Sequence, residues 1–177
     1  EWTFRWGSLG SPADADAGVF APMPGRWDQV EAGGRTHPAM GAVTYRLVVE
    51  LGSPREHLAL RLPPISAAHR FFVNGQLLSE AGIPGPTREA TVARLHAHVT
   101  ETLPPVSRLE LVLEMANFHD LHGGPWTDIT LGDDFTLRSA FERDALRDGC
   151  LAAALAVIAL YHLALWLQRT KERSLLY

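Results

Sequence analysis

HRFFVNGQLLSE, residues 69–80, decides how the first part of this chain folds. Asn74-Gly75 lies between two apolar runs. A two-residue type I′ turn needs positive φ at both central positions, and Asn followed by Gly is the pair that supplies it at least cost. The stretch therefore predicts a β-hairpin, with Phe72 or Val73 turned toward a core. Strand signals extend from it in both directions. EWTFRWG (1–7) places Trp2, Phe4 and Trp6 on one face, and VTYRLVVEL (43–51) does the same with Val43, Tyr45, Leu47, Val49 and Leu51. HLALRL (57–62) and RLELVLEM (108–115) alternate in the same way, the second with Leu109, Leu111, Leu113 and Met115 inward. ARLHAHVTETL (93–103) holds a further strand, and TDITLG (127–132) a closing one. Short strands separated by Gly/Pro turns, with no helical period before residue 134, predict an all-β sandwich of about eight strands. Residues 8–42 are rich in Gly, Pro and Ala and read as an irregular cover in which Val19, Phe20, Met23 and Trp27 need burial.

At Phe135 the period changes. Leu137, Phe141 and Ala145 recur at i, i+4 and i+8 between charged residues, the pattern of an amphipathic helix over 135–149 that Gly149 bends or ends. CLAAALAVIALYHLALWL (150–167) follows, with no charge, Gly or Pro. As a helix it is roughly 27 Å long, close to the thickness of a bilayer's hydrocarbon core. It is apolar all round, so no face is left for water. Trp166 stands at one end, and Lys171, the only lysine, follows between Arg169 and Arg173. These features predict a transmembrane helix over 150–168 with its N-terminal domain outside the cell and residues 169–177 opening a cytoplasmic loop. A buried helix of a soluble protein is the competing reading, and His162 inside the segment favours it. Outside a membrane the apolar surface would need detergent or a second copy of the chain, a homodimer through the helix.

Composition limits the function. The chain has 177 residues and a net charge of −4, with its basic residues forming no run, which excludes an electrostatic footprint for nucleic acid. The single cysteine, Cys150, allows no internal disulfide. Residues 1–20 carry no signal peptide, so an exported domain of this kind is expected to be a fragment of a longer protein. No nucleophile motif, HExxH, P-loop or GxGxxG after a strand is present, and no pair of carboxylates is set for glycosidase chemistry. The chain is read as a non-enzyme without a cofactor. His96 and His98 fall on one strand face, and His119 and His122 flank Asp120, but neither pair has a standard ligand spacing, so no metal site is assigned. The binding candidate is the loop 117–126, NFHDLHGGPW. Its glycines let backbone approach a ligand, Trp126 suits stacking on a sugar ring, and Asn117, His119, Asp120 and His122 suit hydroxyl groups. The structural alternative puts Trp126 in the core and Asn117 on loop backbone. Arg70 completes the candidate set, although its position at a strand start also fits a solvated side chain.

Taken together, WTFRWGSLGSP (2–12), VFAPMPGRWDQV (19–30), GAVTYRLVVEL (41–51), LALRLPPISAAHRFFVNGQLLSEAG (58–82), EMANFHDLHGGPWTDITLG (114–132) and LYHLALWLQRTKERSLLY (160–177) resemble the sensor region and first membrane helix of bacterial seven-transmembrane receptors with diverse intracellular signalling modules. The resemblance implies a jelly-roll, galactose-binding-like domain over 1–134 on the periplasmic side of the inner membrane. It also implies further membrane helices, a cytoplasmic output module and a small-molecule ligand, often a carbohydrate. Two other functions share the sandwich: a carbohydrate-binding accessory module of the kind attached to glycoside hydrolases, and a protein-interaction domain.

Overall fold

In a computed structural model, residues 1–10, 19–29, 31 and 34–173 are described, with side chains to residue 169. The sequence pattern resolves into nine strands, one short 3-10 turn (Trp27–Gln29) and one α-helix among these residues: β1 (Thr3–Trp6), β2 (Val19–Phe20), β3 (Gly41–Arg55), β4 (Leu58–Leu62), β5 (Ala68–Val73), β6 (Gln76–Ala81), β7 (His98–Val99), β8 (Val106–Asn117), β9 (Thr130–Asp133) and α1 (Asp134–Arg173). A six-stranded sheet runs β2-β1-β3-β8-β5-β6, and a three-stranded sheet runs β7-β4-β9. All pairings are antiparallel. Leu60 and Leu62 of the small sheet share one core with Tyr45, Phe71, Leu113 and Met115 of the large one, so the domain is sandwich-like.

Register decides which side chains meet in that core. Phe4, Tyr45, Leu113 and Phe71 stand opposite one another across four strands, and all four are buried. The neighbouring row, one residue along, is Arg5, Thr44, Glu114, Arg70 and Glu80. A slip of one residue would exchange an aromatic row for an ionic one, which is why the pairing is unambiguous. Asn74 and Gly75 have φ of 49° and 77°, the two positive values the hairpin demands. Of the two candidates for the core, Val73 is buried and Phe72 is not fully so. Asn74 also receives a bond from Glu110 N at its Oδ1 (2.8 Å), which ties the turn to β8.

Four expectations change. In 93–103 only His98–Val99 is strand. The rest follows β4 through Thr100 N to Leu60 O (2.9 Å) and Leu103 N to Leu58 O (2.7 Å), and Leu95 is left 70% exposed. Val19 and Phe20 are exposed, because β2 is an edge strand joined to β1 through its backbone; Met23 is half-buried and Trp27 buried. The stretch 11–18 of the expected irregular cover lies outside the described residues. On β8 the outward residues Val112, Glu114 and Ala116 are also buried. In the same row as Glu114, on neighbouring β3, the Thr44 hydroxyl donates to Ser8 O (2.8 Å), so the segment Ser8–Gly10 lies against this face at Thr44. Finally, Gly149 does not end α1, which is continuous from Asp134 to Arg173.

The chain divides into two compact units, 1–137 and 138–177. In the first unit, α1 starts where it does because Asp133 caps it. Its Oδ1 accepts from both Thr136 N and the Thr136 hydroxyl, each at 3.0 Å. Those bonds also hold the Asp133 carboxyl below its ordinary range. In the second unit Leu151, Leu155, Leu160, Leu163 and Trp166 are all exposed. Among the described residues this is one helix long and apolar enough to cross a membrane.

Candidate functional site

The loop 118–126 leaves the end of β8 and is built on Asn117. Asn117 Nδ2 lies 3.0 Å from Ala39 O, 3.1 Å from Asp120 O and 3.0 Å from His122 O. Its Oδ1 accepts from Asp120 N at 3.0 Å and His119 N at 3.4 Å. The side chain is buried and saturated by backbone, so it shapes the loop from below. The glycines have a related duty. A Cβ on Gly123 would lie 2.0 Å from the Trp27 ring, and one on Gly124 would lie 2.1 Å from Gly25 O. Trp27 N donates to Gly123 O (3.0 Å) and Gly25 N to Pro125 O (2.9 Å), so the loop is clamped against residues 25–27. The close approach expected of these glycines is to this chain's own backbone and to Trp27.

The remaining candidates divide. His119 is exposed, with its Nε2 3.2 Å from Thr91 O. Asp120 is half-buried. His122 and Trp126 come together, with ring centroids 5.7 Å apart, and the buried His122 Nδ1 has no hydrogen-bond partner. Close enough to His122 to feel its charge, Asp28 is held below its ordinary carboxylate range, first by the hydrogen bond from Arg26 (2.5 Å). Arg70 stands apart from this group, on β5 opposite Glu114, with 2.9 Å between Nη2 and Oε2. Burial pushes the Glu114 carboxyl up, and Arg70 partly opposes the shift. The His96 and His98 rings stack at 5.7 Å, but no group of three metal-ligating side chains is placed to hold an ion among the described residues.

Trp126 is not core: it is 57% exposed. It opens onto a cleft of about 460 Å³ lined also by Arg61, Pro63, Pro64, Asp128 and Thr130. The pairing of β4 with β9 sets Arg61 opposite Thr130 and so assembles the cleft from distant parts of the chain. Asp128 lies two residues beyond Trp126, the one sequence cue that would have extended the candidate loop to it. A second cleft, of about 580 Å³, sits at the β6 edge and is lined by Glu80, Ile83, Val92, Arg94, Leu95 and His96, among others.

No protein-family model and no curated protein matches the sequence. Solved structures do. A β-glucuronidase from Bacteroides uniformis matches with a TM-score of 0.52 at 17% identity, over 73% of this chain and 16% of that one. A putative β-galactosidase from Bacteroides fragilis matches with 0.47 at 19% identity, over 73% of this chain and 21% of that one. A GH2 β-galacturonidase from Eisenbergiella tayi, solved with galacturonate bound, matches with 0.48 at 16% identity, over 75% and 23%. The chain spans between 16% and 23% of the length of these structures. At such identity the likeness to the Bacteroides uniformis structure is one of fold alone, in keeping with the β-sandwich.

Proposed function

We propose that this chain is the ligand-sensing domain and first membrane helix of a bacterial receptor of the seven-transmembrane class, with a jelly-roll domain on the periplasmic side of the inner membrane. Further membrane helices would partner the exposed helix, and an output module would lie in the cytoplasm. The ligand is a small molecule such as a carbohydrate, bound at the Trp126 end of the 117–126 loop. The observation that carries this reading is α1. It continues the sandwich chain directly and exposes an apolar surface from Leu151 to Leu167, broken by His162, that water does not favour. A carbohydrate-binding accessory module of a secreted hydrolase would share the sandwich but has no use for such a helix.

The test is topology. Alkaline phosphatase and a fluorescent protein fused in turn after Tyr177, behind an export signal in a Gram-negative host, should give fluorescence without phosphatase activity. The protein should also stay in the membrane pellet after alkaline carbonate extraction. Release of the intact chain into the soluble fraction would end the receptor reading and leave the accessory module.

A further inference from the structure

Folding buries Trp27 to 2% exposure and leaves Trp126, three residues beyond the Gly123 that packs on Trp27, at 57%. Trp126 is not loosely held. Pro125 before it is fully buried, and its carbonyl is fixed by Gly25 N at 2.9 Å. The indole is therefore presented on a rigid backbone, which lowers the entropic cost of using it as a contact surface. Its companions are polar. Asp128, Thr127 and Thr130 are all exposed along the same cleft, and Arg61 reaches it from β4. A carboxylate only accepts hydrogen bonds, so Asp128 calls for a ligand that donates. The indole face is electron-rich and suits the weakly positive C–H face of an apolar ring rather than an anion. Arg61 and Asp128 give the lining one charge of each sign, so the cleft as a whole favours neither an acid nor a cation. The volume, about 460 Å³, lies within the range of small-molecule sites.

We infer that this cleft binds a neutral saccharide, one pyranose ring stacked on Trp126 with its hydroxyls donating to Asp128. A uronic acid gains no net advantage, since Arg61 would attract its carboxylate while Asp128, the acceptor for its hydroxyls, would repel it. The inference rests on the ligand-sensing reading and specifies its ligand class and the position of its site, which lies on the 126–130 side of the loop rather than at Asn117 or His119.

The test uses the full chain in phosphatidylcholine nanodiscs, prepared without glycoside detergents. Cellohexaose, mannohexaose, xylohexaose and hexagalacturonate are titrated by calorimetry against the parent chain, Trp126→Ala and Asp128→Asn. At least one neutral hexaose should bind. Trp126→Ala should weaken it by about tenfold or more and Asp128→Asn by roughly threefold, both with unchanged melting temperature because both side chains are exposed. Three results would overturn the inference: no neutral hexaose binds, hexagalacturonate binds more tightly than all of them, or a neutral hexaose binds and neither substitution matters. Each leaves the receptor reading standing, because the topology fusions decide that reading separately.

Discussion

Leu113 and Leu160 are the same side chain with opposite fates: Leu113 is wholly buried on β8, and Leu160 is 64% exposed on α1. Their neighbours differ in period, not in polarity alone. Around Leu113 the inward positions Leu109, Leu111 and Met115 recur at every second residue, so one sheet face can be closed by another and water excluded. Around Leu160 there is no alternation, and every direction from the helix axis is apolar. A period-2 pattern carries its own instruction for burial within a domain. An unbroken apolar helix carries only a demand, which a different solvent or another helix must meet. Hydrophobic content is therefore a poor guide to where a residue goes, and its spacing a good one.

The largest effect expected follows from that contrast. Leu113→Ala should lower the unfolding free energy of the sandwich by about 2–5 kcal/mol, the usual cost of a cavity in a packed core. Leu160→Ala should leave it within about 0.5 kcal/mol. Denaturant titration of both variants, followed by tryptophan fluorescence, measures the difference. If Leu160→Ala proves as costly as Leu113→Ala, the helix is part of the sandwich core and the contrast collapses.

Gly123 comes next, and it sharpens a comparison inside the sandwich between a loop that looks open and one that is packed. Gly123→Ala drives a methyl into the Trp27 ring, where the available gap is 2.0 Å. An overpacking cost of about 1–3 kcal/mol is expected, read as a lower denaturation midpoint. The hairpin glycine meets nothing within 4 Å, so its limit is backbone strain alone at φ 77°. Gly75→Val should cost roughly 1 kcal/mol or somewhat more. A Gly123→Ala variant as stable as the parent would mean that the loop is not clamped as described.

These two glycines also mark how far the sequence can be read. Gly75 was legible because the turn is local: Asn74, Gly75 and the flanking strands carry the whole argument. The strands around Tyr45, Leu60 and Leu113 were legible for the same reason. Gly123 was not, because its partner Trp27 is nearly a hundred residues away and nothing in the spacing connects them. Within the candidate loop, residue type suggested ligand contacts for Asn117, yet its amide is absorbed by five backbone groups. The cleft at Trp126 was half legible. The aromatic stood out, whereas Arg61 and Thr130 reach it only through the β4–β9 pairing, which composition does not encode.

The smallest effect is a slope rather than a loss at neutral pH, and it contrasts two buried ionisable groups on neighbouring strands. His69 is 1% exposed, with Nδ1 3.1 Å from Ala67 O. Burial, above all, lowers its pKa, and the nearby His96 adds to the shift. The folded state therefore takes up its proton at a lower pH than the unfolded chain does, and stability from His69 is complete above about pH 6.5 and is lost as pH falls through the lowered folded value. Glu114 works in the other direction. Burial raises its pKa, so its contribution is complete below the ordinary Glu range and declines as pH rises through the raised folded value. Between pH 6.5 and 4.5, the ordinary values below and above which the two shifts lie, His69→Gln should flatten the fall in melting temperature expected of the parent, while Glu114→Gln should steepen it, because the opposing slope is removed. Thermal melts at several pH values in that window measure both. A parent whose stability is flat across the window, with neither variant changing it, would show that His69 and Glu114 titrate as they do in the unfolded chain and that their burial has no electrostatic consequence.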